Sequence, residues 1–144
     1  MRDKVVEHLN ALFAMHQELA VSLPEEALGQ KLPVPSNTIG GQFWCLVGTR
    51  ESFARAISEN HWAGWNCSMS AADAQNKQKL VQELHHTAQQ LKETLGDIEW
   101  TDYRDGALLD LLEHETQHQG QLIRYVYGLK YKFPPSLAER WALE

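Results

Sequence analysis

Residues 105–127 read DGALLDLLEHETQHQGQLIRYVY, and the reading of this stretch decides the fold. Turned at about 100° per residue, it sets Leu108, Leu112, Leu122, Ile123 and Val126 on one stripe, with His114, His118, Gln121 and Tyr125 along its flank. That is the period of an amphipathic helix running from about Asp105 to Tyr127, with Gly128 as its stop. Glu115 and Gln119 fall near the middle of the stripe. Burying such groups is costly unless they are paired or serve a metal.

Three further segments carry the same period. From Lys4 to Ala20, the residues Val5, Val6, Leu9, Leu12, Phe13 and Leu19 recur mostly at spacings of three and four. Pro24 to Pro35 holds three prolines and Gly29, so it is a connector that cannot continue a helix. A second helix, capped by Ser36, Asn37 or Thr38, runs to about Glu59 with Ile39, Phe43, Leu46, Val47, Phe53, Ala54 and Ile57 on one stripe. His61 to Ser68 reads as a loop, and Ser70 caps a third helix from Ala71 to about Leu95, stopped by Gly96. The last residues, with Pro134, Pro135 and Trp141, form a tail that folds back. No β-alternation and no internal repeat interrupts this pattern. The expectation is an all-α protein, a four-helix bundle with a long first connection and a C-terminal tail, in a single domain over residues 1–144.

Composition narrows the function. A chain of 144 residues that is 43% hydrophobic and 22% charged can bury one core without a disulfide or metal staple. A formal net charge of -6 with no dense Lys/Arg cluster argues against nucleic acid or an anionic membrane as partner. No apolar run approaches the ~20 residues of a membrane span, and Met1 to Lys4 opens directly into an amphipathic pattern, so a soluble cytoplasmic protein is expected. In that setting Cys45 and Cys67 read as two thiols rather than a bridge.

The chemistry concentrates on His114 and His118. Four residues apart on a helix, they stack roughly 6 Å apart along the axis, close enough for one ion to reach both rings. Cys45 lies off the apolar stripe of the second helix, on the side of Gly41, Gly48 and Ser52, where small residues let another helix come close. It can complete a Cys/His/His metal set with a fourth position open for water or substrate. Gly120 inside its helix points to close packing, across an interface or against that small-residue face. Glu115 has two readings: an ion pair with Arg50 inside the bundle, or a carboxylate that orients a metal-bound group or acts as a base. His61 is a reserve ligand and Cys67 an ordinary thiol. His8, His16, His85 and His86 are expected at the surface or its boundary. The run His114-Glu115-Thr116-Gln117-His118 also spells the H-E-x-x-H of zinc peptidases, with Glu115 as base. That reading requires a third ligand downstream, where no His remains and only Glu139 and Glu144 could serve.

Thr38-Ile39-Gly40, a ligand position at Cys45, and His114-Glu115-Thr116-Gln117-His118-Gln119-Gly120-Gln121 read as H-x-x-x-H-x-G-Q, followed by Leu-Ile-Arg-Tyr. Together these resemble the DinB/YfiT-like metalloenzymes. The resemblance implies a four-helix bundle, a divalent metal (zinc or nickel), often a homodimer, and a small-molecule substrate. Characterised relatives include S-transferases that use low-molecular-weight thiols such as bacillithiol or mycothiol, and related isomerases; it implies no DNA chemistry. Two positions depart from the family pattern: Cys45 where a histidine is usual, and Gln119 where an arginine is usual. A thiolate lowers the charge of the site by one and makes the metal a poorer Lewis acid. Three functions stand open at this point: a metal-dependent thiol S-transferase or small-molecule hydrolase on Cys45, His114 and His118; a non-catalytic dimeric binding bundle with a degenerate metal site; and the H-E-x-x-H peptidase.

Overall fold

The computed structural model describes residues 1–144 and contains no strand. Five α-helices follow one another: α1 (Arg2–Ser22), α2 (Ile39–Glu59), α3 (Lys77–Gly96), α4 (Asp102–Gly128) and α5 (Pro135–Trp141). Two 3₁₀ turns, Glu25–Gly29 and Ala71–Gln75, lie in the connections before α2 and α3. α1 and α2 each pack against both α3 and α4. No helix is long and apolar enough to cross a membrane.

Local side-chain chemistry sets the boundaries. Of the three candidate caps before α2, Thr38 is the one used, its Oγ1 accepting the Gly41 N–H at 2.9 Å. Ser70 does cap, but in a reciprocal box with Asp73 that closes only a 3₁₀ turn. A second cap, Asn76, accepts the Lys79 N–H at 3.1 Å and starts α3 at Lys77, not at Ala71 as the sequence suggested. The polar residues between the two caps bury only Ala74, so little packing holds them in one continuous helix. Gly96 is the last residue of α3 rather than the first beyond it. α4 begins three residues before the expected Asp105, because Thr101 accepts the Arg104 N–H at 3.2 Å.

Cations from other elements satisfy two helix C-termini. α1 has no basic residue in its last turn. Lys77, at the start of α3, instead donates to the carbonyls of Val21 at 2.7 Å and Leu23 at 2.6 Å. At the end of α2, Arg104 of α4 donates to Ile57 O at 2.6 Å and Ser58 O at 3.0 Å. The C-terminal tail becomes α5, whose Leu137 is buried against Leu12 and Met15 of α1.

The core has two main parts. Leu19, Phe43, Leu46, Leu84, Leu122 and Val126 belong to one, and Leu9, Phe13, Ala54, Leu91, Leu108 and Leu111 to the other. Along α1, α2 and α4 the change from one part to the other falls at His16, Arg50 and Glu115, all with 0% exposure. An ionic layer therefore cuts the apolar core, and it lies one residue from His114.

Glycines behave differently from one another. A Cβ at Gly48 would come within 2.3 Å of Trp65 and 2.9 Å of Cys67, so the small-residue face of α2 admits the 61–68 loop, not another helix. Gly120 is exposed, and a Cβ there would meet nothing within 4 Å, which removes the expected packing against the Cys45 face. Gly120→Ala is accordingly expected to raise stability by up to about 1 kcal/mol through helix propensity alone. Denaturant unfolding measures this, and a loss of stability would reveal a partner surface at that position.

Candidate metal centre

Gln42, Cys45 and Thr49 lie on one face of α2, at helical spacings of three and four, opposite His114 and His118 on α4. The donor atoms of Cys45, His114 and His118 lie within 4.8 Å of one another, all three residues being half-buried. Cys45 Sγ and His114 Nε2 are 3.6 Å apart. Zinc bonds of about 2.3 Å to sulfur and 2.0–2.1 Å to nitrogen, opened to a tetrahedral angle, require an S···N edge of roughly 3.5 Å. That edge of the site is already at coordination distance. The two imidazole rings have centroids 4.4 Å apart.

Hydrogen bonds fix which ring nitrogens are available. His118 Nδ1 donates to the side-chain carbonyl of Gln42 at 2.5 Å, which leaves Nε2 as the lone-pair nitrogen. Gln42 is 6% exposed, so this support is rigid. Trp65 Nε1 donates to Thr49 Oγ1 at 3.1 Å, so the Thr49 hydroxyl hydrogen can turn toward His114 Nε2, 3.2 Å away. His114 Nδ1 is buried without any partner. A divalent cation suits this donor set: one thiol and two imidazoles, of which His118 is oriented through its second nitrogen, with three donors leaving a fourth position for a further ligand.

The electrostatics favour neutral imidazoles. Burial lowers the pKa of His114, and burial with the neighbouring His114 brings His118 down to about 4. Burial pushes the Cys45 thiol up, opposed by the Thr49 hydrogen bond. Lone-pair nitrogens are thus ready at neutral pH, while the thiol must give up its proton to ligate.

Glu115 faces a different set of partners. Arg50 Nε donates to Oε1 at 2.5 Å and Arg50 Nη2 to Oε2 at 3.0 Å, while His16 Nδ1 bonds Oε2 at 2.8 Å. Of the two readings of Glu115, the ion pair with Arg50 is the one whose contacts are present. Three hydrogen bonds occupy most of the acceptor sites of this carboxylate, and it is wholly buried against Arg50, so it is not placed to activate water in an H-E-x-x-H mechanism. His16, expected at the surface or its boundary, is instead fully buried in this layer. Seven residues of α1 separate it from Leu9, a spacing that returns to the same helix face, and this was the available signal. His61 is exposed and bonds the Glu59 carbonyl, outside the donor group. Cys67 is a free thiol pushed up to about 11, chiefly by burial.

Three residues of the site are absent from the sequence reading. Gln42 and Thr49 could have been found from their spacing to Cys45. Trp65 could not, since only the folded loop brings it over Gly48, where it packs edge-on to Trp44 with centroids 5.0 Å apart.

No protein-family model matches the chain, and no curated protein and no solved structure matches it either. Fold and site together define an all-α protein with a Cys/His/His group able to hold a metal ion.

Proposed function

We propose that this protein is a four-helix bundle of the DinB/YfiT-like kind and a metal-dependent enzyme in which Cys45, His114 and His118 hold zinc or nickel. The reaction proposed is transfer of a low-molecular-weight thiol to a small electrophile. The observation that carries this reading is the convergence of three donor atoms from two helices within 4.8 Å. The H-x-x-x-H-x-G-Q element supports it from the sequence side.

A divalent cation at this position would lower the pKa of a coordinated thiol or water. One thiolate and two neutral imidazoles leave the site with one net positive charge, which a substrate thiolate neutralises. The same thiolate weakens the Lewis acidity that hydrolysis depends on, so the donor set favours thiol transfer over hydrolysis. The residues around it have defined tasks. Gln42 holds the His118 ring, Thr49 offers its hydroxyl beside the sulfur and His114, and Trp65 anchors Thr49.

Metal analysis of the purified protein tests the proposal. One zinc or nickel per chain is expected after loading, with loss of that metal in Cys45→Ser and in His118→Ala. Cobalt substitution should give a sulfur-to-metal charge-transfer band that disappears in Cys45→Ser alone. Protein that stays metal-free, or equal metal content in both variants and the wild type, overturns the reading. Gln42→Leu keeps all three ligands and removes only the acceptor behind His118. Its expected cost in metal affinity is about 10–100-fold, read by competition with a chromophoric chelator.

A further inference from the structure

Beside the donor group lies an open cavity of about 580 Å³, bordered by Leu32, Ser36, Asn37, Gln42, Gln121 and Arg124 among others. It is joined to the centre through Gln42, which lines the cavity and also accepts from His118. α4 supplies the other link. Gln121 and Arg124 lie three and six residues beyond His118, a rise of about 4.5 and 9 Å.

The chemistry of the lining is selective. No carboxylate lines this cavity, although the chain carries 19 Asp and Glu against 13 Lys and Arg. Its single charge is Arg124, which takes part in none of the protein's ion pairs. Three carboxamides, Asn37, Gln42 and Gln121, line the same cavity, with Arg124, Asn37 and Gln121 exposed at its mouth, and the Ser36 hydroxyl is buried without a partner. Leu32 gives one apolar wall. An unpaired guanidinium flanked by amides and a hydroxyl suits a carboxylate attached to a polar, amide-bearing body.

We infer that this cavity is the anion subsite of the metal centre, and that the substrate is a small thiol carrying a carboxylate, held by Arg124 with its sulfur directed toward Cys45, His114 and His118. This inference rests on the proposed metal centre for the role of the sulfur, but not for the binding of the carboxylate. Arg124 is a specificity residue here. It selects the substrate by charge and sets its position along α4.

N-acetylcysteine and its neutral amide differ only at the group in question, and they serve as probes with metal-loaded protein. The acid is expected to bind at least tenfold tighter than the amide to the wild type. In Arg124→Gln this preference should vanish with metal content unchanged, and in Arg124→Lys it should return in part. Equal binding of acid and amide by the wild type, or a preference that survives in Arg124→Gln, overturns the inference. Succinate added to metal-free protein provides the independent arm. It should shift the side-chain amide resonances of Asn37 and Gln121 in the wild type and not in Arg124→Gln. A shift without metal uptake would sink the metal centre while keeping the subsite. Metal uptake without an Arg124-dependent shift would sink the subsite alone. Inorganic phosphate competing more strongly than succinate would overturn the assignment of a carboxylate as the recognised anion.

Discussion

Arg50→Ala is expected to destabilise the protein by about 3–5 kcal/mol, the cost of leaving a buried charge without its partner. Arg50, Glu115 and His16 all have 0% exposure, so no water can replace the lost contacts in the native packing. Arg50 donates twice to Glu115 and once to the Leu84 carbonyl at 3.2 Å, and its guanidinium stands 4.4 Å from the Phe13 ring. Truncation removes all four interactions and opens a cavity between the two parts of the core. The combined change Arg50→Met, Glu115→Leu and His16→Leu removes every charge of the layer at once. It is expected to be near neutral or stabilising, because the desolvation of the ions disappears with them. Denaturant midpoints compare the two. If the triple variant loses as much as Arg50→Ala, the layer contributes through shape rather than charge.

Acid titration reads the same layer. Burial alone would raise the Glu115 pKa, but the Arg50 charge and the hydrogen bonds from His16 and Arg50 outweigh it and hold the group at about 2, below its ordinary 4.5. A depressed carboxyl favours the folded state above the unfolded pKa, so its contribution is complete above about pH 4.5 and is lost as pH falls toward 2. Glu115→Gln should flatten the stability profile in that window.

The apolar period of α1, α2 and α4 was legible because each helix buries one face, and periodicity records burial directly. The start of α3 was not. Ser70 carries a valid cap signal, and nothing in the pattern says that the turn it starts is broken at Asn76. The donor group was readable from His114, His118 and Cys45, since helical spacing places the two imidazoles together and Cys45 lies off the apolar stripe of α2, although the small residues beside it admit the 61–68 loop rather than α4. Its surroundings were less so. Glu115 also bonds His16, which sits 99 residues away in the chain; the seven-residue spacing from Leu9 puts His16 on the buried face of α1 but does not name its partner. Of the two expectations for Gly120, packing against the Cys45 face is the one that the structure removes. A glycine within a helix signals either close approach or nothing, and here no atom of the chain is near it.

Gly40→Ala should cost about 3 kcal/mol or more and weaken the metal site as well. A Cβ at this position would stand 2.1 Å from the Ala74 carbonyl oxygen and 2.9 Å from that of Leu28. Both are backbone atoms of the 3₁₀ turns packed on the start of α2, so no side chain can swing aside. The gain of about 1 kcal/mol that alanine usually brings to a helix interior is small against such overpacking. Relief requires the N-terminal turn of α2 to move off both turns, and Gln42 and Cys45 follow it two and five residues later. Since α4 holds the two imidazoles independently, that movement opens the distance between Cys45 and His114 rather than carrying the site along as a unit. Metal affinity is therefore expected to fall at least tenfold, while Gly120→Ala, on α4 with open space around it, leaves affinity unchanged. Chelator competition on folded Gly40→Ala at low temperature separates the two effects. Unaltered affinity in a destabilised protein would mean that Cys45 is not positioned by the start of α2. The Thr38-Ile39-Gly40 element then acts on the metal centre through contact distance: the cap fixes where α2 begins, and the missing Cβ lets it seat deeply enough to bring a thiol to two imidazoles.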